Sequence, residues 1–143
     1  MTDIEKAKGI LETENKTCVL CRGEKIYASE KAGIAPMVDF ISGGVNVRGF
    51  SAADKIVGRA AALLFVLAEV SEVYAEVMSA GGAEVLGHHG IPCAWGELTD
   101  AIVNRAGTGP CPMEDAVRNL SDPGAALEAI RARQRQLAGE RKG

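Results

Sequence analysis

Two stretches of this chain bring together side chains that could do chemistry. The first is Asp54, Lys55, Gly58 and Arg59, at the front of the run SAADKIVGRAAALLFVLAEV, residues 51–70. Read as one helix, that run puts Lys55 and Arg59 one turn apart on one face, with Asp54 and Gly58 on another. Ser51 followed three residues later by Asp54 has the pattern of a capping box, with Asp in place of Glu or Gln. Cations sit poorly at a helix N-terminus, at a cost of ~0.3–1 kcal/mol. Two of them beside unpaired N–H groups would make an anion site. The alternative is that both side chains reach solvent or pair with glutamates elsewhere.

The second stretch is NRAGTGPCPME, residues 104–114. Asn104 and Arg105 can bind a phosphate or carboxylate, Arg in bidentate fashion. Gly107 and Gly109 let the backbone come close to a ligand. Cys111 ahead of a helix start would have a lowered thiol pKa and be a nucleophile. Glu114 could act as a base or hold a ribose or amine. The same residues also suit a loop that merely leads into a helix, because Glu is favoured in a first turn.

Other candidates are weaker. Cys18 and Cys21 form a C-x-x-C, but TCVLC has the character of a strand. Positions three apart on a strand face opposite ways, so the two thiols would not share a metal. Neighbouring His88 and His89 point in different directions on a helix end and suit its dipole. Met37, Met78 and Met113 have the character of packing residues.

The elements that must position these groups follow from periodicity. Residues 2–14 carry Ile4, Ala7, Ile10 and Leu11 at helical spacing. Residues 17–21 and 24–28 form two strands around an Arg22-Gly23 turn. Pro36 opens a short helix that Gly43-Gly44 ends. The run 51–70 follows as the central helix, apolar all round from Ala60 to Ala68 and so buried. Residues 73–78 are a strand, 83–89 a short helix and 91–95 another strand, while 98–103 is ambiguous. A helix starts at Cys111 and runs through Leu120. The last runs from Gly124 to about Ala138 and frays into a basic tail. The order α-β-β-α-α-β-α-β, followed by helices, implies a mixed sheet with helices on both faces. Ligands bind such sheets beyond the strand ends, where helices begin. The start of the central helix and Ser79, in the turn after Met78, both lie there.

With 143 residues and 47% apolar content, the chain reads as one domain, 1–143, with an aliphatic core. A net charge of −3 argues against a general nucleic-acid binder. No run is long enough to span a membrane. The N-terminus has no secretory apolar segment, which gives a cytoplasmic reading with reduced thiols.

Four stretches together resemble one family: GIAPM (33–37), ADKIVGRAAALL (53–64), VYAEVMS (73–79) and NRAGTGPCPMEDAV (104–117). The family is prokaryotic, uncharacterised and of unknown function, with a cytidine deaminase-like fold; the resemblance covers about 17–120. It implies a three-layer α/β/α architecture and no established activity. True deaminases hold zinc through an H-A-E-type motif and a P-C-x-x-C at successive helix starts. Here those places fall at Ala53-Asp54-Lys55 and Ser79-Ala80-Gly81-Gly82, without His or Cys. Pro110-Cys111-Pro112-Met113-Glu114 imitates the second motif one strand too late. Three converging zinc ligands are therefore not expected, and neither is a metal or cofactor.

The leading expectation is a deaminase-fold module that binds a small anionic ligand such as a nucleotide, without zinc. Asp54, Lys55, Arg59, Ser79, Asn104 and Arg105 would contact the ligand. The first alternative is an enzyme using Cys111 as nucleophile or Lys55 as base in the same pocket, with Glu114 as a further catalytic candidate. The second is a structural or homo-oligomerisation domain with no ligand.

Overall fold

The computed structural model describes residues 1–104 and 106–142, with side chains through Glu140. Arg105, one of the expected ligand contacts, lies outside the described residues.

The chain opens with α1 (Asp3–Thr13), whose N-terminus is capped by Thr2, its Oγ1 accepting from Glu5 N at 3.2 Å. Ala7 and Leu11, one turn apart, form its buried stripe. β1 (Cys18–Arg22) and β2 (Lys25–Ser29) follow as the expected hairpin. Its turn is Gly23-Glu24, one residue later than read, because Gly23 takes the left-handed conformation at φ +61°. α2 spans Ala35–Ser42 with Pro36 in its first turn, as its sequence predicts.

The main departure comes next. Residues 51–70 are not one helix. They are a strand, β3 (Ser51–Val57), then Gly58, then α3 (Arg59–Ala68). β3 is the middle strand of the sheet, antiparallel to β1 and parallel to β4 (Glu72–Ser79). Ala52 and Ala53 are fully buried. A strand covered on both faces loses the apolar–polar alternation that marks strands. Alanine, the strongest helix former, then misleads. The capping-box reading falls with the helix: Ser51 donates its hydroxyl to Glu72 Oε2 at 2.8 Å instead.

α4 (Ala80–His88) follows β4 directly, three residues earlier than expected, with Ser79 as its cap. β5 (Cys93–Thr99) starts two residues late and absorbs the ambiguous Leu98. The helix read from Cys111 to Leu120 shrinks to α5 (Pro112–Ala116). The final helix, α6 (Pro123–Lys142), runs through the segment expected to fray.

The five strands form an open mixed sheet, ordered β2-β1-β3-β4-β5. β3, β4 and β5 are mutually parallel, and the hairpin supplies the antiparallel side. One face is covered by α1, where Ala7 and Leu11 meet Val19, Cys21 and Ala53. The larger core lies on the other face and includes Cys18, Leu20, Met37, Leu64, Phe65, Met78 and Ile130. Cys18 and Cys21 thus point to opposite faces, as strand geometry requires. Among the described residues, no helix is long and apolar enough to cross a membrane.

Candidate functional site

The parallel half of the sheet sends two helices off from one edge. α3 begins one residue after β3, and α4 begins immediately after β4. Both helix starts therefore gather at the strands' carboxyl ends, the usual location of sites in such sheets. Each leaves first-turn N–H groups without intrahelical partners.

At α3 these groups are taken by Glu114 of α5. Its Oε1 accepts from Arg59 N at 2.7 Å, and its Oε2 accepts from Ala60 N at 2.6 Å. Gly58 makes room for this carboxylate. A Cβ there would collide with it and would stand 2.9 Å from Ile102 Cγ1. Arg59 returns the contact: its Nε donates to Val117 O at 3.2 Å and its Nη2 to Leu120 O. The two residues clasp α3 and the segment around α5 to each other.

At α4, Ser79 Oγ accepts from Gly82 N at 2.9 Å, and Ser79 is buried. Gly82 packs on the end of β3, where a Cβ would lie 3.0 Å from Val57 O and 3.1 Å from Gly58 O. The two helix starts therefore touch backbone to backbone.

Asp54 is 6% exposed, in mid-strand beside Cys18 on β1. Burial pushes its carboxyl up to about 8. The N–H groups of Ile56 and Lys55 and the Cys18 thiol pull it the other way, and the charge of Glu76 raises it further. The Cys18 thiol is itself pushed well up, by burial first and then by Asp54. Near neutral pH, Asp54 holds its proton and behaves as a neutral polar group.

The structure separates the remaining candidates. Lys55 alternates with Ala53 toward the α1 side, where its Nζ donates to Asn15 Oδ1 at 3.4 Å. It does not pair with Arg59 on a helix face, because residue 55 belongs to a strand. Asn104 folds its own loop: its Oδ1 accepts from Thr108 N at 3.0 Å and its N donates to Gly109 O at 2.9 Å. Cys111 is the half-buried cap residue of α5, its N donating to Ile102 O at 3.1 Å. Arg59, Glu114 and Ser79 are thus the expected residues that meet at the strand edge.

Sequence reasoning missed the role of Glu114 toward α3 and the contact of Gly58 with Gly82. The contact with α3 joins residues 55 apart, beyond the reach of any local pattern. The remaining signal was Gly58, the one residue type that leaves the carboxylate its space. Among the described residues, no group of three or more His, Cys, Asp or Glu could hold a metal ion. Open surface clefts flank α5 and the amino ends of β4 and β5. One, of about 360 Å³, lies between Pro112 and Arg133. The other, of about 260 Å³, lies between Lys8 and Cys93.

Residues 6–133 match the family described as a domain of unknown function, DUF1893. The crystal structure of a DUF1893 family protein from Thermotoga maritima, TM1506, superposes with a TM-score of 0.81 at 25% identity, covering 94% of this chain and 89% of that one. No curated protein matches the chain. With the family match spanning most of its length, the chain belongs to the DUF1893 family of unknown function.

Proposed function

We propose that this protein binds a small anionic ligand, such as a nucleotide, at the start of α3, with Glu114 as the group the ligand displaces. The observation that carries the reading is the carboxylate already seated there, one oxygen on each of two backbone N–H groups. A phosphate or carboxylate oxygen pair suits the same donors. Ser79 ends the neighbouring strand β4, the buried Asp54 sits in the middle of β3 and is protonated, and neither adds a negative charge near neutral pH. Arg59, which opens the same helix, is the remaining contact in this reading, with a deaminase-like fold that works without zinc.

Binding without turnover is preferred to catalysis. A catalytic version would use Cys111 and Glu114, which lie three residues apart across the start of α5. Lys55 has no part in it, because it faces Asn15 on the α1 side.

The test is a thermal-shift series with inorganic phosphate, nucleotides, sugar phosphates and zinc, on wild type, Glu114→Ala and Gly58→Ala. A ligand at ~100 times its dissociation constant adds ~2.7 kcal/mol of stability. A phosphate compound should stabilise Glu114→Ala more than wild type, because its competitor is gone. Gly58→Ala should show no such shift. If no anion stabilises either wild type or Glu114→Ala, Glu114 is a structural cap and the reading fails. A shift with zinc alone overturns it in favour of a metal protein.

A further inference from the structure

The charges of this chain are sorted along its length. From Ala60 to Asn104 the acids are Glu69, Glu72, Glu76, Glu84, Glu97 and Asp100, and there is no Lys or Arg. That span contains β4, α4 and β5. Residues 131–142 invert the pattern, with Arg131, Arg133, Arg135, Arg141 and Lys142 against the single acid Glu140.

The acidic half ends in an open edge. β5 is the last strand of the sheet, and Ala94 through Leu98 are all exposed. Trp95 is 40% and Leu98 48% exposed, with Glu97 between them and Asp100 just beyond. An edge strand presents unpaired backbone groups, and proteins commonly blunt such edges with lysines, prolines or a covering element. The run CAWGELT has neither residue type.

The basic end of α6 carries exposed arginines. α6 is anchored on the core by Ala126 and Ile130. Arg133 ties it to α5, donating to Pro112 O at 2.9 Å and Asp115 Oδ2 at 3.4 Å. Arg131 and Arg135 are exposed one turn apart, so they share a face. Within its own chain α6 packs on α3 and α5.

We propose that the β5 edge of one copy docks the basic end of α6 from a second copy. Arg131 and Arg135 meet Glu97 and Asp100, and a guanidinium covers the Trp95 ring. A twofold pair makes this contact twice and closes on itself. The proposal is independent of any ligand at α3.

Light scattering on the full chain tests it, at ~1–100 µM protein. Wild type should be dimeric at 0.1 M salt and lose the dimer toward 1 M, as the screening length falls from about 10 to about 3 Å. The double variants Glu97→Lys with Asp100→Lys, and Arg131→Glu with Arg135→Glu, should each be monomeric. An equimolar mixture of the two should recover a dimer, because each acidic tail then faces a basic edge. Should either double variant fail to melt cooperatively, the milder Glu97→Gln with Arg135→Gln should still weaken the dimer ~tenfold or more. A monomeric wild type at 0.1 M salt overturns the proposal. So does a dimer that persists in both double variants, or a mixture that stays monomeric.

Discussion

Asp54 shows what a single buried acid does to the energetics. Its folded pKa of about 8 stands far above the ordinary Asp value of about 4. Between those values the folded state binds more protons than the unfolded state, so stability falls as pH rises through the window. The slope from this one group approaches ~1.4 kcal/mol per pH unit and vanishes above about pH 8. Asp54→Asn removes it. Denaturant melts of wild type and Asp54→Asn should therefore diverge as pH rises from ~5 to ~8, the variant gaining, and run parallel above that. A constant gap across the range would mean that Asp54 is ionised in the folded state. Glu114 works in the opposite sense, as a charge that is used rather than suppressed. Its loss in Glu114→Ala leaves two first-turn N–H groups of α3 unpaired and should cost ~1.5–3 kcal/mol. Glu114→Gln, which keeps one acceptor oxygen, should cost less, and chemical denaturation of the three proteins gives the order.

At the scale of the element, β3 explains why small residues occupy the middle of the sheet. Ala52 faces the large core and Ala53 faces α1, and both are fully buried. Ala53→Leu should push α1 off the sheet and destabilise by ~1–3 kcal/mol, as overpacking does. Hydrogen exchange would place the loss in α1 rather than in α4. The same sheet edge makes the cap of α4 costly to remove. Ser79→Ala strands the Gly82 N–H in a buried place and should cost ~1–2 kcal/mol, read as a shift in the denaturation midpoint.

For the molecule as a whole, the Arg59–Glu114 clasp is what ties α5 to the sheet body. Each residue holds a different part of the other's segment. Their losses should not add: a double-mutant cycle of Arg59→Met and Glu114→Ala should show coupling of ~0.5–3 kcal/mol. Ile130 makes the second attachment, through apolar contact with the main core. Ile130→Ala should cost ~2–5 kcal/mol, with α6 more exposed to proteolysis than the sheet.

Much of this architecture was legible in the residues alone. The hairpin, α1, α2, β4 and the opposed directions of Cys18 and Cys21 follow from turn chemistry and from periods of two and 3.6 residues, which are local properties. The resemblance carried by the segments around Asp54, Ser79 and Cys111 pointed to a family of unknown function, and the family match agrees. What the tertiary structure alone decided lies where local pattern is erased or irrelevant. β3 is buried on both faces, so it shows no alternation, and its alanines favour the helix it does not form. That one misassigned element placed Lys55 beside Arg59, when a strand sends Lys55 to the α1 side. The capping of α3 by Glu114 spans 55 residues of sequence, and only the folded chain brings a carboxylate so far away onto two backbone donors.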